Sequence, residues 1–429
     1  MRRDERLAAE NLVIAAEIGF LRWVLALWYN YAMANVPLPP ESTGEQLLYQ
    51  IMEAAEKERA SDIHIEPKGD EVIVRLRIDG ILKEIARFEV AFLEPLVSRL
   101  KVMAQLDITA HATPQEGHFE WISQIISEGN KQLVLDVRLS SFPTIYGEVI
   151  VMRLLNRIEL LIPLSKLGLN QHDKTLVEKL IRSQYGMILA SGPAGSGKTT
   201  LLYSILTLLA TPEKNIVTLE DPVEYHLKNV RQSQIHPERE FTFESGMRSI
   251  LRQDPDIVMI GEIRDPTTVE AAIQASLTGR LLLSTLHANS SIGTIARLID
   301  MKIDPALIAY SLEGIIAQRL LRKVCQSCKQ SYTPDAHSLQ MLGIEKDSAE
   351  FIKGAGCTAC QGTGYYGRTG IFEILLIDND YRKMIVERSP IEDITALAKE
   401  KKLHTLREDA LDKVTQGQST IEELLRISV

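Results

Sequence analysis

Eight consecutive residues, Gly192-Pro193-Ala194-Gly195-Ser196-Gly197-Lys198-Thr199, have the types and spacing to hold a polyphosphate. Glycine at the start of the run and twice within it lets backbone N–H groups turn inward around phosphate oxygens. A helix opening at Thr199 would add partial positive charge from its N-terminus. Lys198 would neutralise the β- and γ-phosphates of a nucleotide, and the Thr199 hydroxyl would ligate Mg²⁺. Thr200 follows on the same helix and belongs to the same binding set. The apolar run Met187–Ser191 reads as the strand that leads into the loop, and Thr199–Leu209 as the helix that leaves it. That strand–loop–helix context is what the motif requires.

Three polar segments follow, each at the end of an apolar strand-like run. Glu220-Asp221-Pro222-Val223-Glu224 ends the run Asn215–Leu219, Gly261-Glu262 ends Ile257–Ile260, and His287 follows Leu281–Thr285. In a parallel sheet the carboxyl ends of strands share one edge, where ligands bind. Glu220 and Glu262 are then candidates to orient a water or hold the metal's water shell, and His287 to sense the γ-phosphate. Arg75 and Arg77 share one face of the alternating strand Val72–Ile78, opposite Val72, Val74, Leu76 and Ile78.

All four cysteines fall in two pairs, Cys325-x-x-Cys328 and Cys357-x-x-Cys360. Such pairs let two tight turns present four thiolates tetrahedrally to Zn²⁺, and the glycines at 354, 356, 362 and 364 suit those turns. Two disulfides, a redox pair or inert thiols are the other arrangements the spacing permits. A cytosolic nucleotide site argues against disulfides, and no thioredoxin-like strand precedes the pairs.

The elements that position these groups can be read more coarsely. A chain of 429 residues holds two or three domains. Its 45% hydrophobic and 24% charged residues describe an ordinary globular protein. A net charge of −9 opposes nucleic acid as a stable partner. Leu7–Tyr31 reads as an amphipathic helix that packs on its own chain, on a partner or on a membrane surface; Glu17, Arg22, Asn30 and Pro37 break any membrane span or leader peptide. The Pro37–Pro40 run separates residues 1–40 from a small α/β domain at 41–158. Short apolar strands alternating with helices over 159–323 predict a parallel sheet covered on both faces. A cysteine-bearing segment at 324–372 and a charged helical region at 373–429 complete the expected organisation.

Longer runs carry a resemblance. Residues 250–265, from Ile250-Leu251-Arg252-Gln253-Asp254-Pro255 through Gly261-Glu262-Ile263-Arg264-Asp265, resemble the ATPase family that powers type II secretion and type IV pilus assembly. Glu220-Asp221-Pro222-Val223-Glu224-Tyr225 is similar to that family's aspartate box. Gly261-Glu262 is similar to its Walker B motif, with glycine in place of aspartate, and Ser284-Thr285-Leu286-His287 to its histidine box. Ser61–Glu66 and Arg75–Gly80 resemble its smaller N-terminal domain.

The resemblance implies a RecA-like core after a smaller, PAS-like domain, a zinc-binding tetracysteine segment and a helical C-terminus. It implies a homo-hexameric ring with ATP between the two domains near a subunit boundary. It makes Glu220 the water-activating carboxylate and Glu262 the metal-side one. It brings Arg75 and Arg77 to the nucleotide, with Arg248 and Arg252 as further candidates. A ring of this kind works at the cytoplasmic face of an inner membrane, against a membrane platform protein and a docking protein. The stretch Gln274–Gly279 leans towards the secretion branch. The pattern is departed from at Arg280, where the family has histidine, at His118, where it has arginine, and at Leu201, where it has threonine. The N-terminus is expected to lack the extra docking domain of larger members. Arg280 and His118 motivate an alternative, a nucleotide-binding scaffold of the same machine with little turnover. A DNA-uptake or translocation ATPase is a further alternative, opposed by the charge and the lack of aromatic–basic interleaving.

Overall fold

The computed structural model describes residues 44–127, 131–156, 162–344 and 350–427. The helix expected over Leu7–Tyr31 lies outside them. The chain divides into two compact units at Arg157/Ile158.

The first unit is an antiparallel sheet in the order β3-β2-β1-β6-β5-β4. Its strands are β1 (Asp62–Lys68), β2 (Glu71–Ile78), β3 (Ile81–Glu89), β4 (Gln115–Ser127), β5 (Lys131–Thr144) and β6 (Gly147–Asn156). Period-two alternation buries one face only. Ile63, Ile65, Val72, Val74, Leu76, Val137, Leu139 and Ile150 are buried with the apolar sides of helices Gly44–Lys57 and Leu93–Met103. Arg75 and Arg77 therefore lie on the other face of β2, as the alternation predicts.

The second unit is built on a seven-stranded sheet in the order β15-β12-β7-β11-β10-β8-β9. The expected strands are present as β7 (Gly186–Ser191), β8 (Ile216–Glu220), β10 (Ile257–Ile260) and β11 (Leu281–Leu286), all parallel and buried throughout. Continuous apolar runs of this kind need cover on both faces. On one side Leu201, Leu202, Ile205 and Leu206 of helix Lys198–Leu209 pack with Val177 and Leu180. On the other, Val269, Ala272 and Ile273 pack with Ile295, Leu298 and Ile308.

Three strands extend the sheet beyond the four expected. β9 (Arg231–Gln234) adds a parallel edge beside β8. β12 (Leu312–Val324) runs parallel to β7, and β15 (Tyr365–Leu376) pairs antiparallel with β12. The sheet is thus parallel with one antiparallel edge, a common arrangement in large sheets. β15 crosses the boundary expected at 372/373, because the chain returns from the cysteine segment into the sheet. The cysteine segment itself holds the two-stranded ribbon β13 (Lys329–Tyr332) and β14 (Phe351–Gly354). Helices Leu406–Thr415 and Ile421–Ile427 then cover β12 and β15 through Leu406, Ala410, Val414 and Leu424 against Ala317, Leu321 and Ile371.

Among the described residues, no helix is long and apolar enough to cross a membrane.

Candidate nucleotide site and cysteine cluster

β7 delivers the glycine-rich loop to the carboxyl edge of the sheet, and helix Lys198–Leu209 leaves it. The loop glycines are required for two different reasons. Gly195 (φ 73°) has open space around it, so only its left-handed backbone excludes a side chain. Gly192 (φ 149°) has no space either: a Cβ there would stand 2.4 Å from the Gln318 carbonyl oxygen and 2.5 Å from Ser196 Oγ.

Lys198 is 8% exposed, and its Nζ donates to the carbonyls of Gly192 (2.7 Å) and Pro193 (2.9 Å). Burial lowers its pKa to about 8, against the opposing pull of Glu262. The hydroxyls of Ser191 and Ser196 and Oε1 of Gln318 are buried without a partner among the described residues. A glycine-rich loop with positive φ at Gly192, Gly195 and Gly197, a buried ammonium and buried hydroxyls lacking partners fits a bound polyphosphate.

The carboxylates expected at the same edge are there. A cleft of 220 Å³ is lined by Ala194, Lys198 and Thr199 from the loop and by Glu220, Glu262 and His287 from the strand ends. Glu220 is the last residue of β8 and is 2% exposed. Its Oε1 accepts from Thr218 Oγ1 (2.5 Å) and Gln232 Nε2 (3.1 Å), and its Oε2 from the Tyr203 hydroxyl. Burial raises its pKa while these three donors oppose the rise.

Glu262 accepts from Arg264, and its Oε2 lies 3.9 Å from His287 Nε2. Burial, reinforced by the Lys198 charge, lowers the His287 pKa, so its imidazole is neutral at physiological pH and can donate a hydrogen bond. The lowered Lys198 pKa has a measurable consequence. A polyphosphate favours the ammonium, so its affinity for the site should hold below about pH 8 and weaken as pH rises above it. Titration calorimetry across pH 7–10 would record proton uptake on binding, and Lys198→Arg should bind with a flatter pH dependence.

Other candidates sit elsewhere or have other partners. Thr200 is half-buried outside the cleft lining, and its carbonyl accepts from Ser204 Oγ (2.7 Å). Arg248 is exposed on helix Phe243–Ile250 and pairs with Glu244 (2.6 Å). Arg252 lies beyond the end of that helix, and neither arginine lines the cleft. Within the first unit, Arg75 Nη2 pairs with Glu66 Oε1 (2.5 Å). Arg77 Nη1 donates to the Gly80 carbonyl (3.1 Å), and its Nε lies 3.6 Å from Asp62. Arg280 precedes β11, at the edge of the sheet opposite His287, and its Nη1 donates to Thr278 Oγ1 (2.6 Å). His118 stands opposite Arg138 in the β4–β5 pairing. Leu201 is buried in the core.

Several residues of the site were not singled out by their sequence. Tyr203 reads as one more apolar residue of helix Lys198–Leu209, yet its hydroxyl meets Glu220. Gln232 sits on a polar edge strand that shows no strand signal, and Gln318 lies in a strand with a mixed polar pattern.

The four cysteine sulfurs form a compact cluster. Sγ–Sγ distances are 3.9 Å for Cys325–Cys357, 3.7 Å for Cys328–Cys360 and 3.7 Å for Cys357–Cys360. All four lie within 4.8 Å of one another, and none forms a disulfide. Four sulfurs about 2.3 Å from a tetrahedral Zn²⁺ would stand about 3.8 Å apart, so the cluster fits that ion. The backbone N–H groups of Cys357 (3.2 Å) and Gly364 (3.3 Å) both donate to Cys360 Sγ, as the shell around a thiolate ligand should.

A phosphate loop on the carboxyl edge of a RecA-like sheet, faced by strand-end acids and followed by a four-cysteine segment, defines a P-loop ATPase fold. Residues 41–426 match the family model described as type II/IV secretion system protein. The chain belongs to that family. It is 44% identical over 383 residues to a type II secretion system protein E from Dickeya dadantii, covering 89% of this chain and 75% of that one. It is 41% identical over 400 residues to the type IV pilus assembly ATPase PilB of Thermus thermophilus, covering 92% of this chain and 44% of that one. Among solved structures, the pilus retraction motor PilT with bound ADP is similar at 25% identity and a TM-score of 0.58, covering 89% of this chain and 96% of that one.

Proposed function

We propose that this chain is the ATP-hydrolysing subunit of a hexameric motor that drives type II secretion or type IV pilus assembly. The observation that carries the reading is the convergence of Lys198, Thr199, Glu220, Glu262 and His287 on one cleft. Lys198 neutralises the β- and γ-phosphates, and Thr199 holds Mg²⁺, which offsets phosphate charge when bound. Glu220 aligns the attacking water with the γ-phosphate and takes its proton. Glu262, fixed by Arg264, holds the metal's water shell, and neutral His287 donates to the γ-phosphate. Arg75 and Arg77 would exchange their acidic partners for the nucleotide during the cycle, with Arg248 and Arg252 as further candidates to contact it. Cys325, Cys328, Cys357 and Cys360 hold a structural Zn²⁺, a closed site with no open position for chemistry.

The motor works at the cytoplasmic face of the inner membrane, against a platform protein and a docking protein, without a stable nucleic-acid partner. Type II secretion proteins are 40–44% identical to the chain and the pilus ATPase 41%, so identity does not separate the two branches. Of the two departures that motivated a low-turnover scaffold, Arg280 lies at the opposite edge of the sheet from the phosphate loop and His118 in the first unit, so neither lines the cleft.

Steady-state turnover of the full chain tests the reading. Glu220→Gln and Glu262→Gln should each lower kcat by about 10²-fold or more while Mg-ATP still binds. Wild-type turnover no higher than that of both variants would retire the motor and leave the scaffold.

A further inference from the structure

Glu220 carries the proton transfer in this reading, and what fixes its carboxylate is unusually complete for a strand-end acid. Thr218 comes from its own strand, Tyr203 from the phosphate-loop helix and Gln232 from the edge strand β9. The parallel register sets Gln232 beside Thr218, which brings the Gln232 amide within reach of Glu220 Oε1. The same amide nitrogen donates to the Tyr225 carbonyl (3.1 Å), and Gln232 Oε1 accepts from the Leu227 N–H (2.6 Å). The Tyr203 hydroxyl donates to Glu220 and accepts the Glu224 N–H (3.3 Å). Its ring packs edge-on against Tyr225, with centroids 4.4 Å apart. Tyr203 and Gln232 thus join the carboxylate to the loop that follows it, residues 221–227.

We propose that Tyr203 and Gln232 are positioning residues for Glu220, holding its carboxylate and the loop after it in one geometry so that a water can be aligned on the γ-phosphate. The proposal rests on Glu220 being the water-activating group. Burial, with the nearby Glu220 charge, pushes the Tyr203 phenol well above its usual range, so it remains a donor throughout the working pH range. Three donors favour the ionised form of a carboxylate that burial would otherwise protonate. Loss of one donor should therefore leave Glu220 protonated to higher pH, as well as less well aimed.

The test compares the full-length wild type with Tyr203→Phe, Gln232→Leu and Glu220→Gln. The readouts are ATPase kinetics between pH 5 and 9 and binding of a fluorescent ATP analogue. Phenylalanine keeps the ring packing and removes only the hydroxyl. Tyr203→Phe and Gln232→Leu should each lower kcat by about tenfold to a hundredfold, with KM and analogue affinity within about twofold of wild type. The acid limb of the kcat profile should move to higher pH in both, and Glu220→Gln should lack that limb. If one variant does not fold, the other carries the test. Loss of analogue binding together with turnover would assign the pair a structural role and overturn the proposal. A wild type whose turnover does not depend on Glu220 would defeat the underlying reading. Glu220-dependent turnover with both positioning variants matching wild type would defeat this proposal alone.

Discussion

Lys198→Ala should bind Mg-ATP about 10²- to 10⁴-fold more weakly than the unaltered chain and show no measurable turnover. The lysine is expected to supply two charge-assisted contacts, to the β- and γ-phosphates, each contributing about 1.5–3 kcal/mol. Together they make about 3–6 kcal/mol, or two to four decades in Kd. The nearby Arg264 is already paired with Glu262. Among the cleft-lining residues, Lys198 is the one lysine or arginine, the others being acidic, neutral or a histidine whose pKa is lowered. The alanine chain should still fold, because the Lys198 ammonium bonds only to its own loop carbonyls. Calorimetric titration with Mg-ATP gives the answer directly. Unchanged affinity would mean the nucleotide is held elsewhere.

Removing metal from the cysteine cluster should have the second largest effect. Metal analysis of the purified chain is expected to give one zinc per subunit. Cys357→Ser with Cys360→Ser, or strong chelation, should lower Tm by roughly 5–15 °C. Structural zinc contributes about 10–16 kcal/mol in small finger peptides. A quarter of that, at about 2–4 °C per kcal/mol for a unit of this size, gives such a shift. The cluster lies where few other contacts can substitute. The ribbon β13–β14 is only two strands, and it closes onto the cysteine turns through hydrogen bonds such as Ala355 N–H to the Cys328 carbonyl (2.9 Å). Folded, fully active protein without metal would leave the thiols as an inert cluster.

The four central strands were legible because each is a short apolar run with a polar residue at its carboxyl end. Such a run cannot lie on a surface, and its terminal Glu or His marks the edge where ligands gather. The phosphate loop was legible for a related reason: its spacing reflects a backbone constraint, visible as the positive φ of Gly192, Gly195 and Gly197. β12 was not legible. Gln318, Arg319, Arg322 and Lys323 break its apolar pattern: Lys323 is exposed, and Arg319 donates to the Ile427 carbonyl (2.8 Å). Gln318 packs against the phosphate loop, and Arg322 pairs with Glu423 on the last described helix. β15 begins in a glycine-rich stretch that reads as part of the cysteine turns. Tyr203 was hidden because burial of its ring looks the same in sequence whether its hydroxyl is idle or bonded to Glu220. Arg252 falls beyond the helix that ends at Ile250, so only Arg248 stands on it. The exposed arginine was better satisfied by Glu244, one turn back.

β12 is a single stretch of 13 residues. At Gln318 it packs against Gly192 and Gly197 of the phosphate loop, and seven residues later it runs into Cys325. At about 3.3 Å per residue, those two stations are about 20–25 Å apart on one girder. β7 pairs with β12 only as far as Ala317; from Gln318 onward the girder's paired strand is β15, which stiffens it along that side. Its pairing becomes irregular between Arg322 and Val324, just short of the cysteines, and there it has some compliance. A load arising where phosphate is gripped would therefore travel along the strand and be taken up at that joint, so the four-cysteine lobe would move as a unit.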